Sequence, residues 1–155
     1  PEVDDAIETI TFADGTTYRG DWLGDNLHGF GTMTFPNGER YTGDWRYNRR
    51  HGRGVYAYPD GESYEGEWNR GSRSGYGTYT FAHGEKIEGT WARGRLVEGS
   101  GAYQFPDGSW YEGEWRNDRI WGRGIFTTAD GRPHEGFWKN NRLTVDFGGE
   151  IDRQR

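Results

Sequence analysis

Two pairs of glutamates have the spacing that acid–base catalysis uses. Glu65 and Glu67 form one pair, and Glu112 and Glu114 form the other. Two neighbouring carboxyl groups can supply the acid and the base of a hydrolase. Each pair, however, occupies alternate positions of a predicted strand on one solvated face, and acids recur at this place along the chain. We therefore interpret them as structural surface groups and predict that the chain is not an enzyme.

The four histidines do not have metal-site spacing. His28 and His51 lie at equivalent positions 51 − 28 = 23 residues apart, while His83 falls in a predicted turn and His134 in a predicted strand. A zinc site needs its ligands to converge on one point, which these positions do not favour. The chain has no cysteine and no Gly-Lys-Ser/Thr phosphate loop. We expect no cofactor and no metal, and the lack of cysteine favours an intracellular location.

The composition places aromatic rings among glycines. The chain of 155 residues has 27 Gly, 8 Trp, 10 Tyr and 8 Phe, with few aliphatic residues and a net charge of −6. Disordered chains are poor in rings, so these rings indicate a folded protein whose buried surface is mainly aromatic. The acidic balance argues against a nucleic-acid partner.

A five-residue motif organises the whole chain. Tyr41-Thr42-Gly43-Asp44-Trp45 and its variants start at positions 18, 41, 64, 87, 111 and 134, with spacings of 23, 23, 23, 24 and 23 residues. A fixed period of this length indicates a repeat array. We divide the chain into a flexible acidic leader (1–9), the array (10–141) and a C-terminal cap or tail (142–155).

Each repeat predicts two strands and two turns. Tyr, Gly and Trp alternate with polar residues in the first strand, and the second strand opens with Gly-x-Gly. The position three residues after each Trp carries Asn, Asp or Gly, which tolerate a left-handed backbone. Turns such as Pro59-Asp60-Gly61 predict a hairpin with a glycine bulge. The result is an all-β antiparallel meander of roughly ten or eleven strands, in which we place the extra residue of the fourth repeat in the turn region 93–98.

The phased motifs resemble the MORN repeat (membrane occupation and recognition nexus). The resemblance rests on Tyr-x-Gly-x-Trp, a Gly-x-Gly seven residues after the Trp, and a Pro-Asp-Gly turn, and it extends from Ile10 to about Asn141. It implies an elongated, curved, single-layer β-meander built as an array of β-hairpins, with an aromatic groove. It also implies a scaffold role in cytoskeletal, ciliary or membrane-associated assemblies. This sequence departs from the pattern at Ile87, Thr128 and His134.

The aromatic face predicts a binding groove. A sheet that no other element covers must curve, be capped or receive a partner across its apolar face. A partner would contact a ladder of rings: Tyr41, Tyr56, Tyr58, Tyr64, Tyr79, Phe81, Tyr103, Phe105 and Tyr111. The alternative is that the rings pack on one another as core, which we expect for the tryptophans: Trp22, Trp45, Trp68, Trp91, Trp115 and Trp138. We therefore predict a non-catalytic protein-interaction scaffold that binds an extended or helical partner segment.

Arginines gather at one edge of the predicted sheet. They follow the tryptophans, whereas the opposite turns carry Asn37, Asp60, Asp107 and Asp130. The predicted rim comprises Arg46, Arg49, Arg50, Arg53, Arg70, Arg73, Arg93 and Arg95. A second hypothesis is a membrane-targeting module that binds anionic phospholipid headgroups, or a module that binds an acidic cytoskeletal polymer. The plainer alternative is a solvated rim that pairs with strand acids.

Three large apolar residues occupy positions that are polar or small in other repeats. Trp110, Trp121 and Phe137 predict self-association, such as a homodimer through a terminal repeat, because the last strand is also an open edge. Leu143, Val145 and Phe147 of the tail are the alternative cover for this surface.

Overall fold

The protein is one antiparallel sheet in which every strand pairs with its neighbours in sequence. The structure, a computed structural model, describes residues 7–148. The thirteen strands follow one another without a crossover. Their bounds are β1 Thr9–Thr11, β2 Thr17–Leu23, β3 Asn26–Thr34, β4 Arg40–Arg46, β5 Arg49–Ala57, β6 Ser63–Asn69, β7 Ser72–Thr80, β8 Lys86–Ala92, β9 Arg95–Gln104, β10 Trp110–Arg116, β11 Arg119–Thr127, β12 Pro133–Lys139 and β13 Arg142–Asp146. The predicted all-β meander is confirmed.

The predicted strand number was too low because both ends of the described chain also pair. β1 lies against β2 with Ile10 opposite Tyr18, and β13 lies against β12 with Leu143 opposite Trp138. The array therefore starts at Thr9, inside the predicted leader, and continues into the predicted cap. Residues 1–6 of the leader and 149–155 of the tail lie outside the described residues.

The two edges of the sheet carry different turns. At one edge, two-residue turns such as Tyr47-Asn48 place both residues in the left-handed region, with φ of 45° and 70°. This turn type matches the twist of the flanking strands. At the other edge, Gly38 has φ 93°, its N–H donates to Phe35 O at 2.9 Å, and Asn37 Oδ1 accepts the Glu39 N–H at 3.0 Å. The predicted turn with a left-handed glycine is confirmed.

Four hairpins contain a wide bulge in their second strand. In β4–β5, Gly43 pairs with Gly54 and Trp45 with Arg50, so residues 51–53 lie opposite Asp44 alone. The Tyr41 hydroxyl donates to Asp44 O at 2.8 Å, and Asp44 Oδ2 accepts the Arg53 N–H at 3.0 Å. The same two bonds recur in β2–β3, β6–β7 and β10–β11. A tyrosine and an acid therefore hold each bulge.

The bulge also explains the glycines of the repeat. Gly52 has φ 61°, and a Cβ atom added to it would lie 2.6 Å from Asp44 Oδ2. A Cβ atom added to Gly54 would lie 2.2 Å from the Tyr41 hydroxyl oxygen. Bulges bend the strand that carries them, so the repeated bulge favours a curved sheet. The Gly-x-Gly pair thus makes room for the two groups that fix the bulge.

The extra residue of the fourth repeat lies within the predicted region 93–98, but in strand β9 and not in a turn. The β8–β9 turn is an ordinary two-residue turn, with Ala92 paired to Arg95. The register shift lies just beyond this turn. Trp91 pairs with Leu96 and Thr90 pairs with Glu98, so Val97 has no partner in β8. This hairpin has a single-residue bulge because Ile87 and Thr90 replace the tyrosine and the acid. The β12–β13 hairpin, which has His134 and Phe137 there, shows the same narrow shift.

Tyrosines and tryptophans form the core on one face of the sheet. The Trp45 Nε1–H donates to Gly31 O of the preceding repeat at 3.0 Å, and Trp68, Trp91, Trp115 and Trp138 repeat this bond. These five tryptophans are buried. Trp22 differs, with 39% of its surface exposed. Before it, the sheet offers only the short strand β1, so no second-strand glycine receives its ring.

Candidate binding groove

The open side of the core carries two rows of rings from the second strands. We call Phe35, Tyr58, Phe81 and Phe105 the outer row. We call Tyr56, Tyr79, Tyr103 and Phe126 the inner row. Ring contacts run in a zigzag from Phe35–Tyr56 at 6.1 Å, through Tyr79–Phe81 at 5.0 Å and Phe81–Tyr103 at 4.7 Å, to Phe105–Phe126 at 5.9 Å. The rows therefore form one continuous aromatic surface.

Three of the predicted groove residues do not line this surface. Tyr41, Tyr64 and Tyr111 have no exposed surface. Tyr41 lies edge-on between Trp45 and Trp68, at 5.1 and 5.3 Å between ring centroids. Their assignment to an accessible groove was wrong, because the tryptophans of two successive repeats enclose each ring. Tyr56 is 8% exposed, so it supports the groove more than it lines it. Tyr58, Tyr79, Phe81, Tyr103 and Phe105 are partly exposed.

Two of the predicted rim arginines lie in the groove instead. The Arg50 guanidinium stands 5.0 Å from the Trp68 ring centroid and donates to Gly71 O at 2.9 Å. Arg73 stands 4.9 Å from the Trp91 ring and donates to Gly94 O at 2.8 Å. Leu27, Leu96, Ile120 and Leu143 hold the equivalent position beside other tryptophans. The groove thus has cations at its centre and aliphatic residues toward its ends, a pattern readable five residues after each Trp.

The opposite side of the groove is lined by glutamates. The Tyr79 hydroxyl donates to Glu62 Oε1 at 2.6 Å, and the Tyr56 hydroxyl donates to Glu39 Oε1. Burial, followed by the bond to Glu39, raises the pKa of Tyr56 to about 12. Burial and Glu62 likewise raise the pKa of Tyr79. Both tyrosines are protonated at neutral pH and donate to Glu39 and Glu62. The sequence analysis did not identify these two glutamates as acceptors.

Two adjoining depressions make the groove concave. The first has a volume of about 640 Å³ and is lined by residues that include Tyr58, Arg73, Phe81 and Tyr103. The second has about 670 Å³ and lies between Phe105, Phe126 and Trp138. Phe105 and Asn141 line both. The accessible aromatic surface therefore continues over the C-terminal half of the array.

The residues considered for catalysis and metal binding have structural surroundings. Glu67 Oε2 accepts the Tyr76 N–H at 3.1 Å, and Glu114 Oε2 accepts the Arg123 N–H at 3.0 Å. One member of each pair thus holds a bulge, while Glu65 and Glu112 are exposed on the face opposite the groove. His28 Nδ1 accepts the Tyr47 N–H at 3.3 Å. Within residues 7–148, no group of three His, Cys, Asp or Glu side chains is placed to hold a metal ion.

The remaining rim arginines are exposed. Arg46, Arg49 and Arg70 border one depression of about 500 Å³ together with His51. The alternative pairing with strand acids occurs for Arg123, whose guanidinium lies 3.6 Å from Glu135. Across residues 7–148, no helix has the length and apolar character needed to cross a membrane.

The three predicted self-association residues do not form one patch. Trp110 lies opposite Thr127, at the other end of β11 from Trp121. Trp121 is half-buried, with Arg116 and Lys139 at 5.3 and 5.8 Å from its ring. Phe137 remains 45% exposed and meets the Phe147 ring edge-on at 5.3 Å. The tail thus covers part of Phe137, the alternative raised above, while self-association stays a prediction.

These features define a single-layer β-hairpin repeat array with an open aromatic groove. The model of the MORN repeat matches residues 18–40, 41–63, 64–85, 88–110 and 111–131. The chain belongs to the MORN-repeat family. A comparison with curated proteins returned no match.

Two solved structures match this chain at low similarity. One is the TCP domain of Drosophila melanogaster SAS-4 (dCPAP) in complex with a proline-rich motif of Ana2, with 16% identity, a TM-score of 0.39, and coverage of 85% of this chain and 78% of that chain. Another is the TCP10 domain of Danio rerio CPAP in complex with a STIL peptide, with 14% identity, a TM-score of 0.31, and coverage of 90% and 82%. At these scores the likeness supports no functional argument.

Proposed function

We propose that the protein is a non-catalytic interaction scaffold whose groove binds a polyproline II segment of a partner protein. The observation that carries the proposal is the continuous ring surface from Phe35 to Phe126, in which every ring but Tyr56 is partly exposed. Aromatic rings that pack against the protein on one side and face solvent on the other are typical of peptide-binding surfaces. The open rows therefore support a polypeptide partner.

The spacing of the rows supports one conformation of the partner over the others. Outer-row rings come from alternate strands, so they recur at two strand separations, about 9.6 Å. A polyproline II helix returns to the same side every three residues, or about 9.3 Å. An α-helix returns after seven residues and about 10.5 Å, and a β-strand repeats a side at about 6.6 or 13 Å. Over the three intervals between four rings, the repeat of an α-helix would differ from the ring spacing by about 3 Å in total. The repeat of a polyproline II helix would differ by only about 1 Å.

A random dodecapeptide library displayed on phage tests this function. Selection on the intact protein should enrich peptides with proline or apolar residues at every third position. A synthetic copy of the best peptide should bind at least about tenfold more weakly when Tyr58, Phe81 and Phe105 are all changed to alanine. Circular dichroism should show that the variant keeps its sheet.

The matched control changes apolar residues of the other face, namely Phe30, Tyr76 and Ile125, to alanine. These side chains are 55%, 50% and 37% exposed, and the peptide affinity should not change. Equal affinity for the groove variant would reject the groove as the binding site. Selected peptides with helical spacing would reject the polyproline II conformation.

The depression between Arg46, Arg49 and Arg70 favours a second candidate function, the binding of an anionic surface. Three exposed guanidinium groups around one concave site attract phosphate groups. Vesicles with 30% phosphatidylserine should then retain the protein on flotation, and neutral phosphatidylcholine vesicles should not. Equal flotation with both lipids contradicts this candidate and leaves the groove proposal unaffected.

A further inference from the structure

Glu85 breaks the pattern of hydrogen bonds along the glutamate side of the groove. Glu39 and Glu62 each accept a tyrosine hydroxyl from the inner row. Glu85 occupies the next equivalent position, after Gly84 of the following turn. Its Oε1 atom is enclosed by protein and has no hydrogen-bond donor. A buried carboxylate oxygen without a donor costs free energy, so its retention calls for an explanation.

The irregular fourth repeat explains how the donor was lost. In the regular third repeat, Tyr64 pairs with Tyr79, whose hydroxyl reaches Glu62. In the fourth repeat, Ile87 pairs with Gly101, two residues before Tyr103. Tyr103 packs against Phe81 and Phe105, at 4.7 and 4.9 Å between centroids, much as Tyr79 packs against Phe81 at 5.0 Å. The register of Tyr103 against β8 therefore differs by two residues from that of Tyr79 against β6, and Glu85 Oε1 lacks the tyrosine donor that Glu39 and Glu62 have.

The surroundings of Glu85 have the chemistry of a cation site. A depression of about 450 Å³ joins Glu85 and Glu62 to the rings of Phe81, Tyr103 and Phe105, and no lysine or arginine lines it. Aromatic faces and a carboxylate together bind ammonium and guanidinium groups. The backbone of Glu85 is fixed, because its carbonyl accepts the Phe81 N–H at 2.8 Å. Phe81, Tyr103 and Phe105 also line the main groove.

We propose that Glu85 anchors a lysine or arginine side chain of the segment that occupies the groove. Rotation of the carboxylate turns the unpaired oxygen toward the depression, where the partner's N–H groups replace the missing tyrosine. The rings of Phe81 and Phe105 cover the aliphatic part of that side chain. The inference rests on the proposed groove function and adds a basic residue at one defined place in the partner.

The first test measures stability without any partner. Glu85→Gln should raise the melting temperature, because it removes a carboxylate whose buried Oε1 atom has no donor in the free protein. The matched variant Glu62→Gln should lower the melting temperature, because it weakens the acceptor of the Tyr79 hydroxyl. A lower melting temperature for Glu85→Gln would show that this carboxylate serves the fold, which overturns the proposal.

The second test uses the n-butylguanidinium ion as a probe, with n-pentanol as the uncharged control. Nuclear magnetic resonance titration should place the ion beside Phe81 and Phe105, with at least about tenfold weaker binding to Glu85→Gln than to the unchanged protein. Pentanol should not distinguish the two proteins. Equal affinity of the ion for both proteins overturns the proposal.

The third test separates this inference from the groove function. The dodecapeptide selection is repeated on Glu85→Gln, and the best peptide from the unchanged protein is remade with norleucine in place of its lysine or arginine. Glu85→Gln in the protein and norleucine in the peptide should each weaken binding about tenfold. The two changes together should weaken binding no more than either one alone. If the selected peptides lose affinity for the groove alanine variant but contain no basic residue, the Glu85 anchor is overturned and the groove function stands. If their affinity for the groove alanine variant is unchanged, both proposals are rejected.

Discussion

Glu65 and Glu67 are two residues apart and chemically identical, but they have different roles in the structure. Glu67 Oε2 accepts the Tyr76 N–H at 3.1 Å across the bulge of β7, whereas Glu65 is exposed in the ladder beside Val55. We expect Glu67→Ala to lower the free energy of unfolding by about 1–2 kcal/mol, because it removes a charge-assisted bond to the backbone. Urea denaturation measures this change.

Glu65→Ala is the matched control on the same strand. It should change the free energy of unfolding by less than about 0.5 kcal/mol, as surface substitutions usually do. Equal effects of the two substitutions would mean that the Glu67 carboxylate does not hold the bulge.

The fate of Tyr41 shows what residue patterns can predict. Alternation along β4 places Tyr41 on the aromatic face, which is correct. It cannot tell that Trp68 of the next repeat covers the ring, since that contact joins residues 27 apart in sequence (68 − 41). The same limit applies to Arg50, whose charge suggested the rim although its guanidinium stacks on Trp68. The face of the sheet on which a residue lies follows from the local sequence. Whether its side chain is buried depends on the neighbouring repeat.

At the scale of elements, turns were predictable and registers were not. The Pro59-Asp60-Gly61 turn follows from residues that are adjacent in sequence, with Asp60 Oδ1 accepting the Glu62 N–H at 2.9 Å. The width of a bulge depends on a tyrosine and an acid of the partner strand. For this reason the spacing confined the extra residue to 93–98, which includes Val97, but could not show that it forms a bulge in a strand.

Restoring the fourth hairpin tests this account. The combined variant Ile87→Tyr, Thr90→Glu and deletion of Val97 returns the hairpin to the regular pattern. The introduced hydroxyl and carboxylate should rebuild the wide bulge, with Gly101 beneath the new ring, and raise the free energy of unfolding by about 1–3 kcal/mol. Guanidinium denaturation measures the gain, and near-ultraviolet circular dichroism reports the altered ring packing.

Deletion of Val97 alone provides the comparison for this variant. It restores the spacing without supplying the two groups that hold the bulge, so it should gain less stability than the combined variant. The combined variant should also bring the Tyr103 hydroxyl to Glu85 and abolish binding of n-butylguanidinium. A less stable combined variant would contradict the role given to the tyrosine and the acid.

At the scale of the whole molecule, the buried phenols connect stability to alkaline pH. Burial raises the pKa of Tyr18, Tyr64 and Tyr111 to about 12, whereas a tyrosine of the unfolded chain ionises near pH ~10. The folded state therefore favours the protonated phenol. This stabilisation is fully present below about pH 10 and is lost as the pH rises through about 12.

We expect the urea midpoint to fall between about pH 10 and 12, with the absorbance of the buried phenolates and the loss of strand circular dichroism appearing together. The chain in concentrated guanidinium is the control and should ionise near pH ~10. If the folded protein gave all its phenolates near pH ~10 and kept its sheet, these tyrosines would not be enclosed as the structure has them.

The equivalence of the second and third repeats predicts that the array tolerates the loss of a whole repeat. Deleting residues 41–63 joins Arg40 to Tyr64, after which Trp68 meets Gly31 O and the Tyr79 hydroxyl meets Glu39, in place of Gly54 O and Glu62. The tryptophan and tyrosine bonds are thus replaced by bonds of the same kind, whereas the side-chain bonds of Asn48 to Leu27 N and Asn26 are lost, because Gly71 takes its place. The shortened array should fold, with an m-value in urea lower by about a sixth, because less surface is exposed on unfolding.

Deleting β5 alone, residues 49–57, is the control for this prediction. It would require β6 to lie beside β4 in the parallel direction, which a short turn cannot connect. That variant should lose cooperative unfolding. If the whole-repeat deletion lost it as well, neighbouring repeats would not be interchangeable, and the stability of the sheet would depend on the particular order of its hairpins instead of on contacts between adjacent ones.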